Sequence, residues 1–172
     1  YGVYKQANEG TARVYFQEDG LSSIGLRPYV VYGAGRDQGL TSTPTKAMLA
    51  AAAHQPYRIS YGGRYCFQYA DDTARAFIQA ARVDFHGAEV FNLGGESVST
   101  GQVIQAIEAA EPSVRGSLTF EDTPLPFPPE VDNQALLGAI GPLPFTPLER
   151  GVAETIELFR RVLAEGKIKP EV

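Results

Sequence analysis

The chain predicts an α/β fold, and three observations carry that assignment. Strand-like apolar runs alternate with helical stretches along the sequence, which is the pattern of α/β architecture. Helix starts are signalled at Thr43-Pro44, Asp71-Asp72 and Ser99-Thr100. A strand-like run, Ser23 to Val31, leads through Tyr32 into a glycine loop, Gly33-Ala34-Gly35-Arg36-Asp37. With 172 residues, the chain is long enough for one domain with a real core.

The elements follow in order. A helix is expected over 3–19, with Ala7, Thr11, Val14 and Tyr15 on one face, and Gly20 stops it. A strand runs over 23–31. Thr43-Pro44 opens a helix over 44–54, proline being tolerated in a first turn. Strands at 57–61 and 65–69 are joined by Gly62-Gly63, a hairpin signal. Asp71 or Asp72 caps a helix reaching residue 82. A strand over 89–93 follows, then a helix to residue 110 capped by Ser99 or Thr100. Residues 118–121 form a late strand. Thr123 to Pro129 holds four prolines in seven residues and reads as an extended loop. The last helix, 152–163, carries Val152, Ile156, Phe159 and Leu163 on one stripe. No internal repeat or linker divides the chain.

Composition narrows the partners. The formal charge of −5 disfavours nucleic acid and anionic membranes. No apolar run approaches the length of a membrane span, and no signal peptide is visible. The lone Cys66 excludes an internal disulfide and fits a reducing, cytoplasmic compartment. Its Tyr-Cys-Phe setting reads as core. His54 ends an alanine-rich helix, where a cation suits the dipole. His86 sits in a loop. Neither has ligand spacing to the other, so no metal site is expected. The chain does not open on methionine, so it reads as processed, trimmed or part of something longer.

Chemistry concentrates at the start, in Tyr1-Gly2-Val3-Tyr4-Lys5. Residues four apart share a helix face. A free phenol titrates near pH ~10, too high for a base at neutral pH. An ammonium beside it favours the phenolate. A phenolate so assisted can take the proton of a substrate hydroxyl while hydride leaves the same carbon. Lysine also has three donors with which to hold a cofactor ribose. Spacing alone equally describes a surface helix pair.

Order along the chain adds weight. After Tyr1 and Lys5 come Leu26-Arg27-Pro28 and Val31-Tyr32-Gly33-Ala34-Gly35, then Tyr69-Ala70-Asp71-Asp72-Thr73-Ala74, then Asn92-Leu93-Gly94-Gly95. In this order the chain resembles the extended short-chain dehydrogenase/reductase family, also called the NAD-dependent epimerase/dehydratase family. The resemblance covers nearly the whole chain. It implies the C-terminal part of a Rossmann-like sheet plus a smaller substrate-binding α/β region, with the N-terminal dinucleotide-binding half absent. Residues 1–40 and 65–95 would be remnants of the Rossmann-like domain. Residues 41–64 and 96–172 would belong mainly to the substrate region. The Gly33 loop lacks the Gly-x-Gly-x-x-Gly spacing of a pyrophosphate turn.

The resemblance also implies roles. Tyr1 would be the catalytic base, and Lys5 its electrostatic helper and ribose ligand. Pro28 and Tyr29 would flank the nicotinamide, with backbone near Val30 and Val31 on its amide. Arg36, Arg64 and Tyr65 would edge the substrate pocket. Asp71 and Asp72 would cap a helix rather than catalyse. The cofactor would be NAD or NADP, with NAD favoured by the family, and the substrate a small carbohydrate-type molecule. The complete enzyme would be a homodimer needing its N-terminal half, and this chain alone would be inactive. Two departures bear on the substrate. Members that handle nucleotide sugars often carry asparagine where Val30 stands and arginine where Tyr65 stands. Arg64 is adjacent, but one step along a strand points the other way. Both changes remove donors for phosphate oxygens, which favours a smaller polyol or sugar acid. Two further readings remain open: a cofactor sensor on the same scaffold, and a self-standing interaction module.

Overall fold

The computed structural model describes residues 1–169. Helix α1, Gly2–Asp19, is closed by Gly20 in the left-handed region at φ 69°. The Gly20 amide reaches Phe16 O at 3.0 Å, and the Leu21 amide reaches Tyr15 O at 3.3 Å. The face that meets the protein differs from the expected one. Glu9, Ala12 and Phe16 are half-buried, while Ala7, Thr11, Val14 and Tyr15 are exposed. A short side chain at Ala12 lets α1 approach strands β1, Ser23–Arg27, and β5, Ala88–Asn92. Arg27 then clamps Glu9 through two hydrogen bonds of 2.7 and 2.6 Å, and Phe16 stacks edge-on against His86 at 5.0 Å. Glu9 is consequently held below the ordinary carboxylate range by the Arg27 hydrogen bond.

The single strand expected over 23–31 is two strands. Pro28 has no amide hydrogen and interrupts the ladder. The chain leaves β1, which pairs in parallel with β5, and enters β2, Val30–Tyr32. Strand β2 runs parallel to β4, Arg64–Tyr69, which pairs antiparallel with β6, Glu96–Ser99. A third pair joins β3, Tyr57–Ile59, in parallel to β7, Leu118–Phe120.

The expected hairpin of β3 with β4 is therefore not formed. Strand β4 is buried at Tyr65, Cys66, Phe67 and Gln68, on both of its faces, and takes the centre of its sheet. Gly62 and Gly63 answer crowding instead of a hairpin turn. A Cβ at Gly62 would lie 2.7 Å from Glu121 O, and one at Gly63 would lie 2.5 Å from the Tyr65 hydroxyl.

Helix α2, Thr43–Ala52, is buried at Ala47, Met48, Ala50 and Ala51. Its small residues let it pack against both α4, Thr100–Ala110, and α6, Leu148–Ala164. Ser99 caps α4 through a reciprocal capping box with Gln102. Together with β2 and β4 these helices enclose Tyr32, Met48, Tyr65, Ile107, Val152 and Ile156. Each such aliphatic burial stabilises the fold by roughly 1.5–3 kcal/mol. A second core joins α3, Ala70–Ala80, and α5, Gln134–Ile140, to the β1–β5 pair through Ala76, Ala80, Leu93, Leu136 and Ile140.

Neither Asp71 nor Asp72 caps α3, whose N-cap is Tyr69 without a side-chain bond. Asp71 pairs with Arg75 at 2.6 Å. Asp72 accepts from the Thr146 amide at 2.6 Å and the Thr146 hydroxyl at 3.1 Å, tethering the segment that enters α6. Cys66 is buried, with its thiol facing Pro129 O at 3.7 Å. No described helix is long and apolar enough to cross a membrane.

Candidate functional site

Strands β1 and β5 are parallel and end side by side, at Arg27 and Asn92. The crevice outside such carboxyl ends is where open α/β sheets hold ligands. Pro28 and Tyr29 leave β1 at this edge, and Leu93, Gly94 and Gly95 leave β5 there. The Tyr29 amide donates to Gln68 Oε1 at 2.7 Å, and its hydroxyl donates to Pro128 O at 2.5 Å. The second bond straps the proline-rich loop over the site. Phe127 stacks edge-on against both Tyr29 and Tyr65, at 6.1 and 6.4 Å between centroids.

Tyr1 and Lys5 form the first turn of α1. The Lys5 amide bonds Tyr1 O at 3.1 Å, and the Lys5 ammonium lies 5.1 Å from the Tyr1 ring centroid. The pair is therefore assembled as its spacing implies. It stands on an open surface, however, with Tyr1 89% exposed. Neither residue is among the walls of the two cavities nearest α3.

The remaining sequence-selected residues have separate settings. Val30 is buried in the main core, and Val31 is half-buried in β2. Arg36 bonds Gln38 O at 2.6 Å and the Thr41 hydroxyl at 2.9 Å, bracing the glycine loop. Arg64 bonds Ser97 O at 2.6 Å and Gln102 Oε1 at 3.0 Å, toward β6 and α4. Tyr65 is buried. Its hydroxyl donates to Gly62 O at 2.7 Å and accepts the Leu125 amide at 2.6 Å.

Five tyrosines elsewhere in the fold make poor bases. Burial is the leading cause that pushes the phenols of Tyr29, Tyr32, Tyr57, Tyr61 and Tyr69 upward, away from ionisation at neutral pH.

A cavity of about 700 Å³ lies between α3, α5 and the end of β5. Gln68, Asp72, Thr73, Leu93 and Asn133 are among its walls, and the buried Thr73 hydroxyl has no partner. None of the nine sequence-selected residues borders it. A fit to a dinucleotide is partial. The parallel strand ends at Arg27 and Asn92 leave a crevice of the kind that receives a ligand. The Gly33 loop is not built for its pyrophosphate: the Gly33 amide is bonded to the Thr45 hydroxyl at 3.1 Å, and α2 starts only at Thr43.

Sequence reasoning missed Gln68, whose amide bridges three backbone groups. A polar residue within the otherwise apolar run Tyr65–Tyr69 was its one signal. It also missed the group around Glu111, which binds Arg160 and accepts from the Ser113 hydroxyl at 2.6 Å. Ser113 in turn lies 2.9 Å from His54 Nδ1. Among the described residues, no cluster of three or more His, Cys, Asp or Glu is placed to hold a metal ion.

Comparison with known proteins bears on the family and the fold. Residues 1–94 match the model of the NAD dependent epimerase/dehydratase family. A 37.6 kDa uncharacterised protein from the cld 5' region of Escherichia coli O111:H- is 31% identical over 186 residues, which is 93% of this chain and 54% of that protein. Among solved structures, a partial consensus L-threonine 3-dehydrogenase superposes with a TM-score of 0.81 at 21% identity, over 94% of this chain and 56% of the other. The UDP-glucose 4-epimerase of Thermotoga maritima gives 0.75 at 26% identity, over 95% and 54%. The UDP-glucuronic acid 4-epimerase of Bacillus cereus, solved with UDP-glucuronic acid and NAD, gives 0.76 at 22%, over 94% and 52%. The chain thus spans about half the length of the relatives it matches. With its first 94 residues fitting the family model in a chain of 172, the protein belongs to the NAD-dependent epimerase/dehydratase family.

Proposed function

We propose that this chain is the acid/base and substrate-side part of an NAD-dependent oxidoreductase acting on a carbohydrate-like hydroxyl. The observation that carries the reading is the Lys5 ammonium 5.1 Å from the Tyr1 ring, on one turn of helix, in a member of this family. The Tyr1 phenolate oxygen takes the proton of the substrate hydroxyl, and Lys5 stabilises that oxygen and donates to the cofactor ribose. Bound NAD would supply the hydride acceptor for the same carbon. Pro28 and Tyr29 would flank the nicotinamide, and backbone near Val30 and Val31 would meet its amide. NADP would serve the same chemistry, because the residues that choose between the two belong to the dinucleotide-binding half.

The chain spans about half the length of its relatives, which supports a division of labour. A site open to water does not strengthen an electrostatic pair. The cleft is completed by a dinucleotide-binding half, and the chain is inactive without it. Residues 1–40 and 65–95 would extend that half, with 41–64 and 96–172 forming the substrate region. The exposed α1 surface of Val3, Ala7, Val14 and Tyr15 serves homodimerisation of the complete enzyme.

The substrate reading favours a small hydroxy compound, such as a polyol or sugar acid, over a nucleotide sugar. Val30 has no side-chain donor and is buried. Arg64 is held by Ser97 and Gln102. Arg36 is occupied within its own loop. A diphosphate there would lack charged partners. Calorimetric titration of the complete polypeptide with UDP-sugars tests this reading. No binding is expected, while polyols or sugar acids should support NADH formation. Micromolar UDP-sugar binding would end the substrate assignment.

A further inference from the structure

Gln68 is 5% exposed, one residue before the end of β4. Burying a primary amide is costly unless its hydrogen bonds are made. Here all the partners are backbone groups at strand ends of the other sheet. Oε1 accepts the Tyr29 amide at 2.7 Å, just past the end of β1. Nε2 donates to Leu93 O and, at 3.0 Å, to Gly94 O, just past the end of β5. Only one orientation of the amide satisfies this set, because an N–H faces one side and two carbonyls face the other. Tyr29 lies between β1 and β2, outside both ladders, so Gln68 supplies its amide partner. The contact is also tight: a Cβ at Gly95 would fall 2.5 Å from Phe67 O and 2.9 Å from Gln68 Cγ. The β1–β5 ladder itself closes with the Leu93 amide on Arg27 O at 3.1 Å, and one side chain of the β2–β4–β6 sheet ties together the two segments that leave that ladder at its carboxyl ends.

We propose that Gln68 is a positioning residue for hydride transfer. It holds the Tyr29 backbone and the Leu93–Gly94 turn in register, so that the crevice between them presents the nicotinamide at a fixed angle. The inference rests on the functional reading above, in which the reaction takes place at these strand ends. Dinucleotide affinity comes mainly from the other half, so Gln68 governs the rate of the chemical step more than cofactor binding.

The test uses the complete polypeptide and two variants, Gln68→Met and Gln68→Glu. Exchange of the Tyr29 amide hydrogen is the direct reporter. It should speed up at least tenfold in Gln68→Met, while amides paired between β2 and β4 keep their protection. In the same variant kcat should fall tenfold or more, with the Kd for NAD changed by less than threefold. Gln68→Glu carries the test where the methionine variant fails to fold. A protonated carboxyl offers one acceptor and one donor and restores two of the three bonds. An ionised carboxylate faces two carbonyl oxygens and restores only the bond to Tyr29. The rate of Gln68→Glu relative to wild type should therefore recover as pH falls, which a loss of packing alone does not produce. Wild-type turnover in Gln68→Met, or a pH-independent ratio in Gln68→Glu, would overturn the proposal. Failure of the wild-type protein to reduce NAD with any hydroxy compound would instead count against the functional reading. The Tyr29 exchange rates would then still decide whether Gln68 holds that strand end.

Discussion

Replacing Gly151 with alanine sets two effects against each other. Gly151 lies in the first turns of α6, against the ring of Tyr32. Helix propensity alone favours alanine by about 1 kcal/mol. A Cβ there, however, would stand 2.3 Å from the Tyr32 hydroxyl oxygen, 3.1 Å from Cζ and 3.2 Å from Cε2. Tyr32 cannot swing away. It is 2% exposed and contacts the rings of Phe67 and Tyr69, at 6.2 and 5.6 Å between centroids. Overpacking of this kind typically costs about 1–3 kcal/mol, and the 2.3 Å contact puts Gly151→Ala at the upper end. The net expectation is a loss of about 1–2 kcal/mol, or a melting temperature lower by about 2–4 °C per kcal/mol for a chain of this size. The chain has no tryptophan, so far-UV circular dichroism in a urea titration is the assay. Removing the hydroxyl with Tyr32→Phe leaves nearest contacts of 3.1 and 3.2 Å, which small shifts relieve. The double-mutant cycle should return a coupling of about 1–2 kcal/mol. Stabilisation by Gly151→Ala, or an equal cost in both backgrounds, would refute the reasoning.

Two other perturbations concern polar tethers. The Ser113 hydroxyl, followed by Arg160, holds the Glu111 carboxyl at about 2 against an ordinary 4.5. A depressed carboxylate contributes fully above its unfolded value, so this contribution is intact above 4.5 and is lost as pH falls toward 2. Arg160 is 37% exposed, and solvent screening brings the contribution down to about 2 kcal/mol. Denaturation midpoints should converge between wild type and Glu111→Gln as pH falls through that window; a constant gap would contradict the assignment. Asp72→Ala removes both bonds to Thr146 and should destabilise by about 2–3 kcal/mol. A change below about 0.5 kcal/mol would show that the tether is idle.

Local signals were read well where one segment decides its own structure. Gly20 ends α1 and Ser99 caps α4, because those partners sit within four residues of each other, whereas the cap expected at Asp71 or Asp72 is not made and Asp72 serves the distant Thr146 instead. Pairing between distant strands left no comparable mark. Strand β3 meets β7 some sixty residues later, so Gly62-Gly63 looked like a hairpin although both glycines serve close packing. Pro28 was the visible reason to divide the 23–31 run, and its missing amide hydrogen was overlooked. Strand β6 and helix α5 are too short for periodicity to report. On α1 the apolar residues exceed one face, so the sequence could not tell which side meets β1 and β5. Glu9, paired with Arg27, proved to mark that side. The candidate site divides in the same way. Tyr1 and Lys5 are legible because helix spacing alone brings them together. Gln68 was not, because a buried glutamine differs from an exposed one only through partners on other strands.

Hydride transfer by the complete polypeptide carrying Tyr1→Phe tests the central claim most directly, with cofactor binding measured on the same samples. The account predicts an NAD affinity within about threefold of wild type and a transfer rate lower by at least about a hundredfold, the usual contribution of a positioned acid/base. A phenylalanine enzyme that still transfers hydride at close to the wild-type rate would contradict it.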